Sequence, residues 1–293
     1  MPVCWFNGNI MDASEAKISV FDHGLLYGDG VFEGLRFYQG KVFRLLSHLE
    51  RFEKSARAIM LPLPFDHKTL AMAVEETIKA SNQSEGYIRM VATRGEGPLG
   101  INPATCTQGC LFMIADQLQM SNARILSDGA RLMIAATRRL GPDGLDPKIK
   151  SLNYLNNIMA KIEANQAGYD EAILLNQMGN VAEGTVDNVF VVADGVLKTP
   201  PVSDGALDGI TRTVVLELAE KLEIPCQEKS LTAYDLFLAD ECFLTGTGAE
   251  LIPVREISGR EMTSAERPIF NRIQNAFSEV VTEESSQQAL NWC

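Results

Sequence analysis

Two lysines stand directly before a predicted helix, and one of them could act as a nucleophile. Lys148 and Lys150 are two residues apart, so they share one face if the segment is extended. A lysine forms a Schiff base with a carbonyl group when a semi-buried site lowers its pKa. Periodicity does not choose between the two lysines, and a solvated lysine pair in a loop is the alternative interpretation.

Three asparagines follow the lysines inside the predicted helix, at Asn153, Asn156 and Asn157. Asparagine is a poor residue for a helix interior because its side chain competes for backbone hydrogen bonds. The sequence therefore predicts that these side chains bond to other parts of the protein.

Glu183 interrupts an apolar run over residues 181–190 and is followed by a glycine. Buried carboxylates are rare unless they are paired. A protonated pyridine nitrogen is one partner that would justify a buried glutamate here. The alternative is a surface glutamate at the end of a strand.

Two glycine-bearing loops have the character of anion sites. Residues 208–212 (DGITR) open a predicted helix, whose free N–H groups would bind phosphate well. Residues 245–250 (TGTGAE) follow an apolar strand, and small residues let backbone amides approach an anion closely. Each loop has a simpler alternative, as a helix cap or as a tight turn.

Composition excludes several classes of protein. The chain has 293 residues, 46% apolar and 22% charged, which suits two fused domains with packed cores. The net charge of -12 disfavours nucleic acid as a partner. The histidines are too far apart for a metal site, and no apolar run is long enough to span a membrane. Six scattered cysteines without a C-x-x-C pair, and no signal peptide, indicate a cytoplasmic protein.

Hydrophobic periodicity predicts the elements that must position these residues. The first part contains strands over residues 31–38, 87–93 and 110–115, with helices over 44–60 and 69–80. Ser47 and Glu50 fit a capping box at the start of the first helix. These elements predict a small α+β domain over residues 1–116. A polar linker over 117–130 follows it.

The second part, residues 131–293, is predicted to be a larger domain of mixed α and β structure. The predicted strands cover residues 131–137, 171–175, 181–192 and 241–245, and the predicted helices cover 152–166, 211–222 and 270–281. The polar end, residues 283–293, is expected to be disordered.

Residues 22–34 (DHGLLYGDGVFEG) resemble the fold-type IV pyridoxal 5'-phosphate (PLP) enzymes, the class IV aminotransferases. The resemblance runs from about residue 5 to residue 276, and the segments described above occur in the family's order. It implies the α/β fold of the D-amino-acid aminotransferase type, with PLP between two domains. It also implies a homodimer whose partner chain completes the pocket.

The resemblance also implies a role for each site residue. Lys150, rather than Lys148, would form the Schiff base, and Tyr154 would bond the cofactor's phenolic oxygen. Glu183 would bind the pyridine nitrogen. Four residues would hold the phosphate, namely Arg51, Ile210, Thr211 and Thr247. Gly248 follows the family's small residue whose backbone amide helps to bind the substrate carboxylate.

Residues 87–91 (YIRMV) and 97–103 (GPLGINP) resemble the branched-chain aminotransferases in particular. In that group Tyr87 would help to bind the α-carboxylate, and Arg89 would let the pocket accept glutamate. Tyr27 and Phe32 would line the side-chain pocket. The resemblance thus implies ping-pong transamination between leucine, isoleucine or valine and 2-oxoglutarate, a step of branched-chain amino acid biosynthesis. A structural salt bridge is the alternative for Arg89.

Other members of the family remain alternatives to this subgroup. D-amino-acid aminotransferases pair an arginine with a histidine two residues on, and this chain has no histidine after His67. The loop at residues 247–250 resembles the branched-chain enzymes more than the aminodeoxychorismate lyases. An (R)-selective amine transaminase stays an alternative. A non-catalytic PLP-binding protein is disfavoured because Lys150 and Glu183 are both present.

Overall fold

The computed structural model describes residues 2–117 and 123–286. Its contacts divide the chain into two compact units. Unit 1 contains Met1–Gln119, Ile149–Asn153 and Val281–Cys293, and unit 2 contains Met120–Lys148 and Tyr154–Val280. The short segment that carries Lys150 therefore belongs to unit 1, whereas Lys148 and Tyr154, on either side of it, belong to unit 2.

Unit 1 is built on an antiparallel sheet of six strands in the order β2-β1-β6-β5-β3-β4. The strands are β1 (Val3–Phe6), β2 (Asn9–Asp12), β3 (Gly30–Tyr38), β4 (Lys41–Val42), β5 (Gly86–Thr93) and β6 (Cys110–Asp116). The helices are α1 (His23–Tyr27), α2 (Leu45–Ala58) and α3 (His67–Ser81).

Helices α2 and α3 share one apolar core with the sheet of unit 1. Leu49 and Phe52 of α2 are fully buried beside Leu35 of β3. The spacing of three and four residues that predicted α2 is therefore confirmed as its buried face.

The predicted capping box at Ser47 and Glu50 is wrong. Helix α2 begins two residues before Ser47, after Arg44, which has a left-handed backbone and provides no side-chain cap. Leu45, the first residue of the helix, is already buried. The position before it is filled by Arg44, whose Nε lies 3.0 Å from a carboxylate oxygen of Glu284.

Unit 2 contains a sheet of nine strands, with β12-β11-β10-β13-β14-β7-β8-β9 in order and β15 added to β14. Three neighbouring pairs are parallel, namely β11 with β12, β14 with β7, and β7 with β8. The strands are β7 (Ala130–Ile134), β8 (Glu171–Leu175), β9 (Val181–Gly184), β10 (Asn188–Ala193), β11 (Val196–Thr199), β12 (Cys226–Glu228), β13 (Glu241–Gly246), β14 (Glu250–Ile257) and β15 (Arg260–Glu261). The helices are α4 (Ala123–Asp128), α5 (Leu155–Gln166), α6 (Ile210–Lys221) and α7 (Ala233–Phe237). Helix α8 (Pro268–Ser286) begins in unit 2, and its residues from Val281 onward belong to unit 1.

Three segments differ from the sequence-based expectation. Part of the polar stretch 117–130 forms helix α4, while residues 118–122 lie outside the described residues. Helix α5 begins at Leu155 and not at residue 152, because residues 150–152 bond to β3 instead. Residues 283–286, expected to be disordered, are the last turn of α8, and residues 287–293 lie outside the described part.

The described cysteines are all free thiols, at Cys4, Cys106, Cys110, Cys226 and Cys242. Within residues 2–117 and 123–286, no helix has the length and apolar character needed to cross a bilayer. The same residues contain no group of three side chains suited to holding a metal ion.

Candidate active site

The backbone around Lys150 is fixed from two sides within unit 1. Phe32 N donates to the carbonyl of Lys150 at 3.0 Å, and Leu152 N donates to the carbonyl of Gly30 at 3.0 Å. From helix α2, the hydroxyl of Ser55 accepts a hydrogen bond from Lys150 N at 3.2 Å. The segment thus pairs with the edge of β3 through one antiparallel bridge, between Val31 and Ser151, and these bonds hold the backbone of Lys150 in a defined position.

The two candidate lysines differ in their surroundings. The ammonium nitrogen of Lys150 lies 4.7 Å from the centre of the Phe32 ring, and the residue is half-buried. The Lys148 side chain is 53% exposed and pairs with Asp146 at 3.2 Å. Lys150 is therefore the less exposed amine of the two and lies against an aromatic ring, whereas Lys148 forms a solvent-exposed ion pair.

Phe32, Gly34, Tyr87 and Arg89 share one side of the sheet of unit 1, which we call the Phe32 face. Strands β3 and β5 place Gly34 opposite Arg89. The guanidinium carbon of Arg89 lies 4.5 Å from the Phe32 ring centre and 5.6 Å from that of Tyr87. In the described part of unit 1, no carboxylate forms an ion pair with Arg89. The structural salt bridge considered for this arginine is therefore not found there.

Gly34 leaves room for the hydroxyl of Tyr87. A Cβ atom at position 34 would lie 1.9 Å from that oxygen, far inside contact distance. Burial raises the pKa of Tyr87, and the nearby Arg89 opposes this only in part. The phenol therefore stays protonated near neutral pH and can donate a hydrogen bond.

Arg51 is held by a buried carboxylate in unit 1. Its Nε donates to Oε1 of Glu33 at 2.7 Å and its Nη2 donates to Oε2 at 2.9 Å. His48, also buried, bonds the same Oε2 through Nδ1 at 2.8 Å. Glu33 comes from β3, and both of its partners come from one face of α2.

Glu183 is buried in unit 2 at the end of β9, and its carboxylate is fully oriented. Oε1 lies 2.7 Å from Nη2 of Arg139. Oε2 accepts a hydrogen bond from Leu207 N at 2.8 Å and has a longer contact, 3.5 Å, with the amide of Asn188. These donors favour the ionised form of the carboxylate, which is the form that would pair with a protonated pyridine nitrogen.

The three asparagines after Lys150 all bond other segments, as the sequence predicted. The side-chain amide of Asn153 donates to the carbonyl of Gly28, and the side-chain amide of Asn156 donates to the backbone carbonyl of Arg138. Asn157 accepts from Arg139 at 2.9 Å and donates to the carbonyl of Thr185 at 2.6 Å. Asn157 thereby also orients the arginine that pairs with Glu183.

The start of helix α6 is one of the two predicted anion loops. Its N-cap, Gly209, has no side chain to satisfy the first N–H groups, which are those of Ile210 and Thr211. A Cβ at Gly209 would meet Oδ1 of Asn188 at 1.9 Å. Asn188 also donates to the carbonyl of Leu207 at 2.9 Å, so it connects the start of α6 with Glu183.

The second loop follows β13 and contains Thr247 and Gly248, both half-buried. Just before them, the hydroxyl of Thr245 is buried with no hydrogen-bond partner in the described residues. A Cβ at Gly246 would lie 2.4 Å from a carboxylate oxygen of Asp187. The loop therefore depends on glycine for its close approach, and it offers an unsatisfied hydroxyl for a ligand.

Each unit gathers part of the predicted site. Unit 1 brings Lys150 together with Phe32, Tyr87 and Arg89. Unit 2 links Glu183 with the start of α6, and Tyr154 stands at the N-cap of α5. Tyr27 does not join the Phe32 face: its ring packs edge-on against His23, 4.9 Å between centres, and its hydroxyl accepts from Gly100 N.

A family model for the class IV aminotransferases matches residues 30–257, more than half of the chain. The chain belongs to the class IV aminotransferase family. The match includes the Lys150 segment, the Glu183 network and both anion loops of this aminotransferase.

Known relatives extend this result over nearly the whole aminotransferase chain. A putative branched-chain-amino-acid aminotransferase of Methanocaldococcus jannaschii is 46% identical over 280 residues, 95% of this chain and 96% of that protein. The crystal structure of the Escherichia coli branched-chain amino acid aminotransferase has a TM-score of 0.93 at 34% identity, covering 99% of this chain and 97% of that one. The branched-chain amino acid aminotransferase of Thermobaculum terrenum, solved in its PLP form, has a TM-score of 0.86 at 32% identity, with 96% and 94% covered.

Several residues of this aminotransferase site were not predicted from the sequence. Glu33 interrupts an apolar strand as Glu183 does, and His48 lies on the apolar face of α2, so both gave a detectable signal. Ser55 and Arg139 gave none, because a serine in a helix and an arginine in a loop are ordinary surface residues.

Proposed function

We propose that this chain uses PLP to transfer amino groups between leucine, isoleucine or valine and 2-oxoglutarate. The observation that carries the proposal is the position of Arg89. In unit 1 its guanidinium lies over the Phe32 ring, and the Lys150 amine lies 4.7 Å from the centre of the same ring. A cation beside an apolar surface suits a pocket that accepts both a branched side chain and the distal carboxylate of glutamate.

The residues present fit the functional groups of PLP. Lys150 provides the amine for its aldehyde, and Glu183 provides an oriented carboxylate for its ring nitrogen. We assign its phosphate to Arg51, to the uncapped start of α6 at Ile210 and Thr211, and to Thr247. The buried, unpartnered hydroxyl of Thr245 supports an anion at that loop. We assign the phenolic oxygen to Tyr154 on the resemblance alone.

In this mechanism PLP, when bound, supplies an electron sink for the charge that develops at the substrate Cα. Lys150 would hold the cofactor through its Nζ. The same Nζ would take up the proton from the Cα of an amino acid substrate. Glu183, held as an anion by Arg139 and Leu207 N, would face the ring nitrogen and favour its protonated form. With an oxo acid as the second substrate, the Lys150 amine would return the proton to Cα.

The Phe32 face would recognise the substrate. Phe32 offers apolar contact, and each methylene buried there contributes about 0.8 kcal/mol, which favours branched side chains over alanine. The protonated hydroxyl of Tyr87 would donate to the α-carboxylate. We assign the backbone after Thr247, beside Gly248, to the same carboxylate.

Arg89→Leu is expected to impair the glutamate half-reaction by about 10- to 100-fold, because one charged hydrogen-bonding partner is removed. The leucine half-reaction should change by less than about threefold, since it uses the apolar part of the pocket. Single-turnover kinetics with each amino acid measures the two halves separately. Arg89→Lys, which keeps the charge, should recover part of the glutamate reaction. Equal losses in both halves would contradict the assignment.

Gly34→Ala is expected to lower kcat/KM for leucine by about 10- to 100-fold. The new methyl group must displace the Tyr87 hydroxyl, which lies 1.9 Å from the Cβ position. PLP affinity should remain, because neither residue is assigned to the cofactor. A double-mutant cycle with Tyr87→Phe should show that the two losses are not additive. Independent, additive losses would place the action of Gly34 elsewhere.

We propose a cytoplasmic homodimer in which Tyr27 reaches the pocket of the partner chain. The proposal is supported by the position of Tyr27, which bonds Gly100 and does not join the Phe32 face of its own chain. Around it, Leu25, Leu99 and Ile101 are 65%, 74% and 83% exposed, an apolar surface suited to a second copy. The free thiols suit a reducing compartment.

Mixing Lys150→Ala subunits with Tyr27→Ala subunits, each expected to be inactive alone, tests this arrangement. If Tyr27 acts across the dimer, the hybrid contains one intact site and about a quarter to a half of the activity should return. If both residues serve one pocket of the same chain, the mixture stays inactive.

A further inference from the structure

We propose that Glu33 and His48 are positioning residues for Arg51, holding its guanidinium in the orientation that receives the cofactor phosphate. The inference rests on the proposed function, in which Arg51 binds that phosphate. Neither Glu33 nor His48 would touch the cofactor; both would act through the arginine.

Glu33 and Arg51 form a bidentate ion pair. Both carboxylate oxygens are used, at 2.7 Å to Nε and 2.9 Å to Nη2. Two parallel hydrogen bonds fix the plane of the guanidinium as well as its position. The Glu33 side chain has no exposure to solvent, so water does not compete for these bonds.

His48 orients the Glu33 carboxylate from a third side. Burial lowers the pKa of His48, so the ring is neutral near pH 7 and its Nδ1–H donates to Glu33 at 2.8 Å. Burial alone would raise the pKa of Glu33, but Arg51 and the hydrogen bond from His48 outweigh it and hold that pKa well below its usual range. Arg51 therefore faces an anion, and a neutral histidine limits how that anion can turn.

The charges in this cluster argue for orientation rather than for attraction. A site that needed only positive charge would not place a buried anion on Arg51, because Glu33 cancels much of its field at a phosphate. Nor is a buried ion pair an efficient way to stabilise a fold, since desolvation offsets most of its attraction. The pair fixes the plane of the Arg51 guanidinium, and it does so although Glu33 reduces the net positive charge that a phosphate would meet.

Helix α2 connects this cluster with Lys150. His48, Arg51 and Ser55 are three and four residues apart, so they share one face of the helix. Ser55 accepts the hydrogen bond from Lys150 N. The same helix face therefore fixes both the arginine and the backbone of the lysine. PLP carries its aldehyde and its phosphate arm on neighbouring ring atoms. A fixed distance between Lys150 and Arg51 therefore suits the fixed distance between these two groups of PLP.

The test compares the affinity of the cofactor-stripped full chain for PLP and for pyridoxal, which lacks the phosphate. The ratio of the two dissociation constants reports the phosphate contacts alone. Glu33→Gln is expected to lower the preference for PLP by about tenfold, and His48→Leu by about threefold to tenfold. His48→Asn keeps an amide donor near Nδ1 and should restore most of the preference. Pyridoxal affinity should stay unchanged in all three variants.

Arg51→Ala separates this inference from the proposed function. If Arg51→Ala leaves the preference unchanged, Arg51 does not bind the phosphate and the proposed assignment fails. If Arg51→Ala lowers it while Glu33→Gln and His48→Leu leave it unchanged or raise it, the positioning role is overturned. A higher preference for PLP in Glu33→Gln would mean that the net charge at Arg51 matters more for phosphate binding than the orientation of its guanidinium. Should Glu33→Gln fail to fold, the comparison of His48→Leu with His48→Asn decides.

Discussion

Replacing Lys150 with alanine is expected to lower kcat/KM for leucine and 2-oxoglutarate by about 10⁴-fold or more. The substitution would remove both the proposed attachment point of the cofactor and the group proposed to move the proton. The fold should survive, because the bonds to Phe32 and Ser55 use the backbone of Lys150, which alanine keeps. Steady-state kinetics and circular dichroism measure the two effects.

Lys148→Ala is the matched control for this loss. Lys148 is two residues away, largely exposed, and paired with Asp146 on the surface. Such an ion pair contributes about 0–1 kcal/mol, so activity should stay within about twofold. Loss of activity in Lys148→Ala with retention in Lys150→Ala would reverse the assignment.

Glu183→Gln is expected to slow the proton transfer by about 10- to 100-fold, because a neutral amide no longer favours the protonated ring nitrogen. It should also destabilise unit 2, since Arg139 loses its buried counter-charge, a change that commonly costs about 3–5 kcal/mol. Stopped-flow spectroscopy of a single turnover with leucine measures the first effect, and thermal unfolding measures the second.

Arg139→Gln separates chemistry from stability in this pair. It breaks the same ion pair, but it leaves the carboxylate of Glu183 held by Leu207 N. Both variants should lower the melting temperature to a similar extent, whereas Arg139→Gln should slow proton transfer much less. If the two variants are equally slow, Glu183 acts only through the fold.

Much of the architecture could be predicted from the sequence. The α/β fold class and the class IV family, both predicted, are confirmed by the family match and by the similarity to solved structures. The strand over residues 171–175 is found with the predicted limits, because five consecutive buried residues between turns give an unambiguous signal. The start of α5 was misplaced because periodicity does not register that residues 150–152 pair with β3.

The partners of the site residues could not be predicted. Glu183 is recognisable as an unusual residue in an apolar run, but nothing local points to Arg139, 44 positions earlier in the chain. Arg51 and Glu33 likewise meet only because α2 packs on β3. A buried charged residue can be recognised in the sequence because its neighbours are apolar. Its ion-pair partner cannot be recognised, because the tertiary fold determines which residue comes close to it.

The most direct test of the account is to find where the cofactor attaches. The full chain loaded with PLP is reduced with borohydride, which makes the bond between the lysine and the cofactor permanent. It is then digested and mapped by mass spectrometry. We expect the pyridoxyl group on the peptide that contains Lys150, and on that residue of the peptide. A pyridoxyl group on Lys148 or on any other lysine, or a chain that carries none, would contradict the account.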